Sequence, residues 1–260
     1  METKRKGLSL TALAAIALVL LALGMLGNVV VQPTHDGYLD ASLGKLTVGM
    51  LLETVSWAAA PIVCWLLVVL IKRGVPFIGV GILAIAVVSE VPHDVLTHQT
   101  LWTAESQNPA WALLISWIVI QAFQRLPQSQ LRILLAVAVV IAALIWIFGF
   151  SLGTRLGVIP LGFGYLAFTL VFYTLWGSEN RMMFSAGGVG AAMFITPALG
   201  VVVLHYRRSL TETLDPLPRL GLAVAYPVLL AVAVAYPVLL AVAAAYPVLL
   251  AVAAALSAAI

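Results

Sequence analysis

Three ionisable residues near the middle of the chain, Glu90, His93 and Asp94, are spaced i, i+3 and i+4. On a helix that spacing puts them on one face. A histidine beside carboxylates is the arrangement of a general base. One carboxylate fixes the ring, and the imidazole exchanges a proton near neutral pH. In this reading His93 is the base, Asp94 orients it, and Ser89, Glu90 and Asn108 border the pocket of whatever is acted upon. His93, His98 and Asp94 are also metal-ligand types, but their spacing fits no closed zinc pattern, so no metal is expected. A polar cap where a helix meets the membrane surface uses the same residue types, and that alternative stays open. Pro92 sits inside the triplet and predicts a helix end there.

Glu53 is a further candidate, six or seven residues inside an apolar run. A carboxylate in hydrocarbon is costly and must be neutral, paired or turned to a polar cavity. It reads either as a substrate or proton contact within a bundle or as a solvated group near the outer interface. His205, beside Tyr206 and two arginines, reads as an interfacial anchor. Trp102, Trp111 and Trp117 read as an aromatic belt. His35 and Asp36 fall in a loop. Cys64, the single cysteine, reads as a small buried hydrophobe. No phosphate-binding loop, dinucleotide fingerprint, serine-elbow motif or Cys-x-x-Cys pair occurs.

The elements that must carry these residues are membrane spans. Of 260 residues, 63% are hydrophobic and only 9% charged, against about 25% charged in soluble domains. Mean hydropathy is +1.12. A net charge of +3 gives no reason to expect nucleic acid as a partner. The expected fold is all-α, a polytopic transmembrane helical bundle of about eight spans. The apolar runs are Leu8–Val31, Leu46–Ile71, Val75–Val91, Pro109–Phe123, Leu131–Phe150, Gly157–Trp176 and Met182–Tyr206, followed by Leu220–Ile260. The first, behind Lys4-Arg5-Lys6, is too long for a signal-peptide core and reads as a retained span. Pro61 should bend the second. Pro109–Phe123 is short for a hydrocarbon layer of about 30 Å.

The chain divides into a helical domain, residues 1–219, and an apolar tail, residues 220–260. The tail holds three near-identical decads beginning Ala225, Ala235 and Ala245, each opening Ala-Tyr-Pro-Val-Leu-Leu. Ten residues turn a helix by about 280° net, so Tyr226, Tyr236 and Tyr246 share no face, and no binding stripe is expected. Lys and Arg favour the cytoplasmic side. With Lys4–Lys6 inside, Lys72, Arg73, Arg125, Arg132 and Arg181 also fall inside, and the span count sends Arg207, Arg208 and Arg219 outside. That misfit points to a miscounted span or a re-entrant piece. The expected location is a cell membrane, multi-pass, with a cytoplasmic N-terminus.

Ser89-Glu90-Val91-Pro92-His93-Asp94-Val95, with Asn108 ahead of the next apolar run, Pro61-Ile62 in the second and Gly157-Val158-Ile159 in the sixth, resembles the TraX-like membrane proteins. This family, relatives of the pilin acetylation protein, carries a third span ending Ser-[Gln/Glu]-[Ile/Val]-Pro-[Phe/Tyr]-Asp-Leu and an Asn opening the fourth. The resemblance covers about Leu10–Trp176. It implies membrane acyl transfer, with acetyl-CoA as donor and a protein acceptor. The family's first-span Asp-His pair falls here on Leu21 and Ala22, and its second-span Arg falls on Trp57. His93 or His35 would have to replace that pair. The expectation is therefore an acyltransferase-like membrane protein, or an inactive relative serving as accessory or scaffold subunit of a membrane complex.

Overall fold

A computed structural model describes residues 7–31, 42–127, 131–155, 159–208 and 225–235. Lys4–Lys6, His35, Asp36, Asp40, Gly157, Val158, Arg219 and all of the tail outside 225–235 lie outside the described residues.

The regular structure of the described residues is helical apart from a two-residue antiparallel ladder, β1 (Thr154–Arg155) against β2 (Ile159–Pro160). The helices are α1 (Leu10–Val31), α2 (Leu43–Ser56), α3 (Ala59–Lys72), α4 (Ile78–His98), α5 (Pro109–Arg125), α6 (Arg132–Gly149), α7 (Leu161–Thr174), α8 (Glu179–Ala192) and α9 (Thr196–His205). A tenth, α10, covers Ala225–Ala235 in the tail. Four stretches are long and apolar enough to cross a membrane: α1, α2 with α3, α4 and α6. About eight spans were expected. The shortfall has a plain cause. The runs read as spans six and seven are broken into helices of 10–14 residues, α5 reaches only 17, and most of the tail is not described.

α2 and α3 form one 30-residue apolar stretch with a break at Trp57–Ala58. Pro61, without an N–H, cannot donate to the carbonyl of Trp57 four residues back. Ala60 donates to that carbonyl instead, at 3.1 Å, and Ala58 to Val55 at 3.2 Å, so the chain tightens for one turn and bends. The bend is covered by α9. A Cβ on Gly200 would lie 2.0 Å from the Ala58 carbonyl oxygen, so only glycine lets the two backbones meet there. α1 and α2 pack closely in the same way, with Gly49 against Val31.

α4 is turned inside out relative to a helix in a water-soluble protein. Its buried stripe is Ala86, Ser89, Glu90, His93 and Asp94, while Val80, Leu83, Val87, Val88 and Val91 are exposed. α6 likewise exposes Ile133, Leu134, Val137, Ile141, Ile145 and Phe148 and buries only Ala143 and Ile147. Apolar faces outward and polar groups inward suit hydrocarbon as the surrounding medium. The main core, with Leu13, Ile62, Trp65, Ile120, Phe168 and Phe172, lies where α1, α3, α5 and α7 meet.

α8 and α9 form a hairpin. Glu179 opens α8, Arg207 follows α9, and the two are ion-paired at 2.5 Å. The hairpin's open end joins the start of the chain. Leu8 N donates to the Tyr206 carbonyl and Arg208 N to the Leu8 carbonyl, both at 2.9 Å. Arg207 and Arg208 therefore sit at the end of the bundle where α1 begins, not the opposite end that the span count gave them.

Candidate functional site

α4 continues through Pro92 to His98, so the helix end predicted at Pro92 is displaced by six residues. Only one helical hydrogen bond is lost there, and the buried stripe on either side holds the axis. Gln99, with φ of 55°, turns the chain out of the helix, and residues 100–107 fold back over its end.

Two polar clusters fasten this loop. In the first, Asn108 caps α5. Its Oδ1 accepts from Ala110 N at 3.0 Å, and its Nδ2 donates to the Ala86 carbonyl at 2.8 Å and to Glu90 Oε2. The same Glu90 oxygen accepts from Trp111 Nε1 at 2.7 Å. Glu90 thus joins α4 to the first turn of α5 through two donors. Asn at the N-cap and Pro109 at the first helical position are what the sequence supplies to start a helix there.

The second cluster closes the end of α4. Asp94 Oδ2 accepts from Thr103 N at 2.9 Å, and His98 Nε2 lies 2.9 Å from Ser106 Oγ. His98 Nδ1 lies 3.6 Å from Glu105. Beyond the loop, Gly153 N donates to the Gln107 carbonyl at 2.8 Å, which ties it to the segment that leads into β1.

His93 and Asp94 are both buried, at 2% and 0% exposure. His93 Nδ1 lies 3.5 Å from Asp94 Oδ1, longer than a good hydrogen bond. Asp94 spends its other oxygen on the loop. Of the predicted site residues, Glu90 and Asn108 meet at the α4–α5 junction, Asp94 lies beside His93 and holds the loop at Thr103, and Ser89 is buried on the same stripe of α4. Glu53 does not join them. It is buried in the seam of α1 and α2, where its Oε1 accepts from Trp57 Nε1 at 3.2 Å. Asn28 shares a narrow crevice with it, and no α4 residue lines that crevice.

Trp111 is the partner that sequence reasoning missed. Read as part of an aromatic belt, it is a hydrogen-bond donor to Glu90. Of the other two, Trp102 is exposed and Trp117 packs over Gly79. Beside the junction lies an apolar cavity of about 180 Å³, walled by Ala17, Leu21, Leu66, Ile85, Ala110 and Tyr226 among others. It is comparable with engineered cavities of ~150 Å³ that stay dry and admit benzene. Among the described residues no group of three His, Cys, Asp or Glu side chains is placed to hold a metal. Comparison with protein-family models, curated proteins and solved structures yields no match to this chain.

Proposed function

We propose that this chain is a multi-pass cell-membrane protein of TraX-like plan that acts as an accessory or scaffold subunit of a membrane complex. The observation that carries this reading is how the conspicuous polar residues are used. Glu90, Asn108 and Asp94 direct their hydrogen bonds into a helix start and a loop that closes the end of α4. Such groups build a rigid, shaped membrane face. Two of the four segments that carry the family resemblance also meet, since Glu90 accepts from Asn108. Lys4–Lys6 precede the end of the bundle where Arg207 and Arg208 lie, so the positive-inside rule puts that end in the cytoplasm and the loop 99–108 outside. α8 and α9, whose open ends are joined by Glu179 and Arg207, then form a re-entrant hairpin. The test is purification of the tagged chain in mild detergent. A partner at fixed stoichiometry, retained in His93→Ala, is expected. A chain that elutes alone and intact contradicts the proposal.

A second reading is acyl transfer, favoured by the burial of His93 beside Asp94 and by the apolar cavity flanked by Pro109 and Ala110. Here an acceptor hydroxyl or amine gives its proton to His93 while attacking the thioester carbonyl of acetyl-CoA. The C–S bond breaks, and coenzyme A leaves as the thiolate and takes up that proton. It requires that His93→Ala abolish transfer.

A further inference from the structure

The apolar cavity beside the α4–α5 junction suits neither water nor an ion. Apart from Tyr165 and Tyr226, no charged, amide or hydroxyl-bearing side chain stands in its wall. A buried water needs about two to four polar partners. Nor is the cavity sealed. Leu18, Leu66, Ile85 and Leu113 in its wall are half-buried, whereas Ala17 and Tyr165 are 3% and 2% exposed. One side of it therefore opens toward the surroundings of the bundle, and the other lies deep among the helices.

Those surroundings are apolar. Val19, next to Leu18 on α1, and Val88, one turn beyond Ile85 on α4, are 61% and 62% exposed on faces suited to hydrocarbon. The depth is also informative. Leu18 lies eight residues from the start of α1, and Ile85 seven from the start of α4. At 1.5 Å per residue that is roughly 10–12 Å into a layer about 30 Å thick. Lipid chain ends lie near that depth, and headgroups do not reach it.

We propose that this cavity is a lipid site that seats the terminal segment of one bilayer acyl chain. The size fits: a cavity of ~150 Å³ takes the six carbons of benzene, so about 180 Å³ takes roughly six or seven carbons of a chain. Entry costs no dehydration, because the chain is already in hydrocarbon. It gives the wall atoms the dispersion contacts that a void denies them. The seated end touches α1, α3, α4, α5 and α7, and Tyr226 of α10. Tyr226 and Leu230 pack in turn against Met25 and Val29 of α1 and Leu96 of α4. The chain end is thus a shared filler for the middle of the bundle, and it is seated with or without a partner protein.

Photolabelling tests this. The full chain is reconstituted in phosphatidylcholine vesicles that include a phosphatidylcholine with a diazirine at the end of one acyl chain. After illumination, adducts are located by peptide mass spectrometry. Tyr165 should be labelled, because it is too buried to meet lipid except through the cavity. Ala17→Leu, which fills the cavity, should cut labelling of Tyr165 at least fivefold and leave labelling of Val88 on the outer face unchanged. Ala110→Leu, on the α5 wall, does the same should Ala17→Leu fail to fold. Moving the diazirine beside the headgroup should also cut labelling of Tyr165 at least fivefold. A folded wild type labelled at Val88 but blank at Tyr165 overturns the proposal, since the cavity is then empty or taken by another part of the chain. So does labelling of Tyr165 that survives in a folded, filled variant. Equal labelling of Tyr165 from both diazirine positions overturns the assignment to a chain end.

Discussion

Asn108→Ala should destabilise the fold far more than an alanine at any exposed loop position. The carboxamide is fully buried and serves two helices at once. Losing an Asn N-cap costs about 1 kcal/mol. Glu90 Oε2 then loses one of its two donors, and a hydrogen bond to a charged group is worth about 1.5–3 kcal/mol. The sum is about 2.5–4 kcal/mol. At about 2–4 °C per kcal/mol for a chain of this size, the midpoint should fall by roughly 5–15 °C. The assay is a temperature ramp in detergent followed by tryptophan fluorescence. A rescue makes the test specific. Asn108→Asp keeps the cap acceptor but turns a carboxylate toward Glu90, so it should be at least as damaging. Adding Glu90→Gln puts an amide nitrogen opposite the new carboxylate and restores a donor–acceptor pair in the opposite sense, while Trp111 gives up the oxygen it shared with Asn108. The double variant should recover part of the loss. A midpoint shift under about 2 °C for Asn108→Ala, or strict additivity of the two substitutions, would refute the role assigned to this pair.

Trp111→Phe keeps most of the ring packing but removes the second donor to Glu90, so a loss of about 1.5–3 kcal/mol is expected in the same ramp. Gly200→Leu should abolish accumulation of folded protein, because its Cβ meets the Ala58 carbonyl. Gly187→Ala, with nothing within 4 Å, should be neutral or stabilising by about 0.5–1 kcal/mol. Ile195 holds φ of 69° in the α8–α9 turn and is exposed. With ψ of −45° and Thr196 N donating to the Phe194 carbonyl at 2.7 Å, it is the centre of a strained γ-turn, so Ile195→Gly should raise the midpoint by a few degrees, as such a backbone costs about 1–3 kcal/mol; an unchanged or lower midpoint would contradict that. Arg208→Cys and Gly7→Cys should react with a membrane-impermeant maleimide from one side, and Trp102→Cys from the other. Labelling of all three from one side would rule out the proposed topology.

The polar stripe of α4 was legible from spacing alone, because helical periodicity fixes which side chains share a face. Its extent was not. Pro92 looks like a stop signal locally, yet the buried stripe and the Asp94–Thr103 contact extend the helix to His98. Hydropathy windows found the apolar runs but could not tell a crossing from a return. That difference depends on Glu179 meeting Arg207, 28 residues away. The same contact, with Leu8 on Tyr206, puts Arg207 and Arg208 at the end of the bundle where α1 begins. Trp111 was invisible as a donor because Glu90 is 21 residues away and only the α4–α5 packing joins them. The packing of α10 was not legible because Tyr226 and Leu230 meet Met25, Val29 and Leu96, residues about 130 to 200 positions away along the chain.

The decisive measurement is transfer of labelled acetyl from acetyl-CoA by the chain reconstituted in native lipid with its co-purifying proteins. If the residues at the end of α4 serve to fasten the loop, wild type and His93→Ala should give the same incorporation. Incorporation that is present in wild type and lost in a folded His93→Ala variant would make His93 a catalytic base and contradict the scaffold reading.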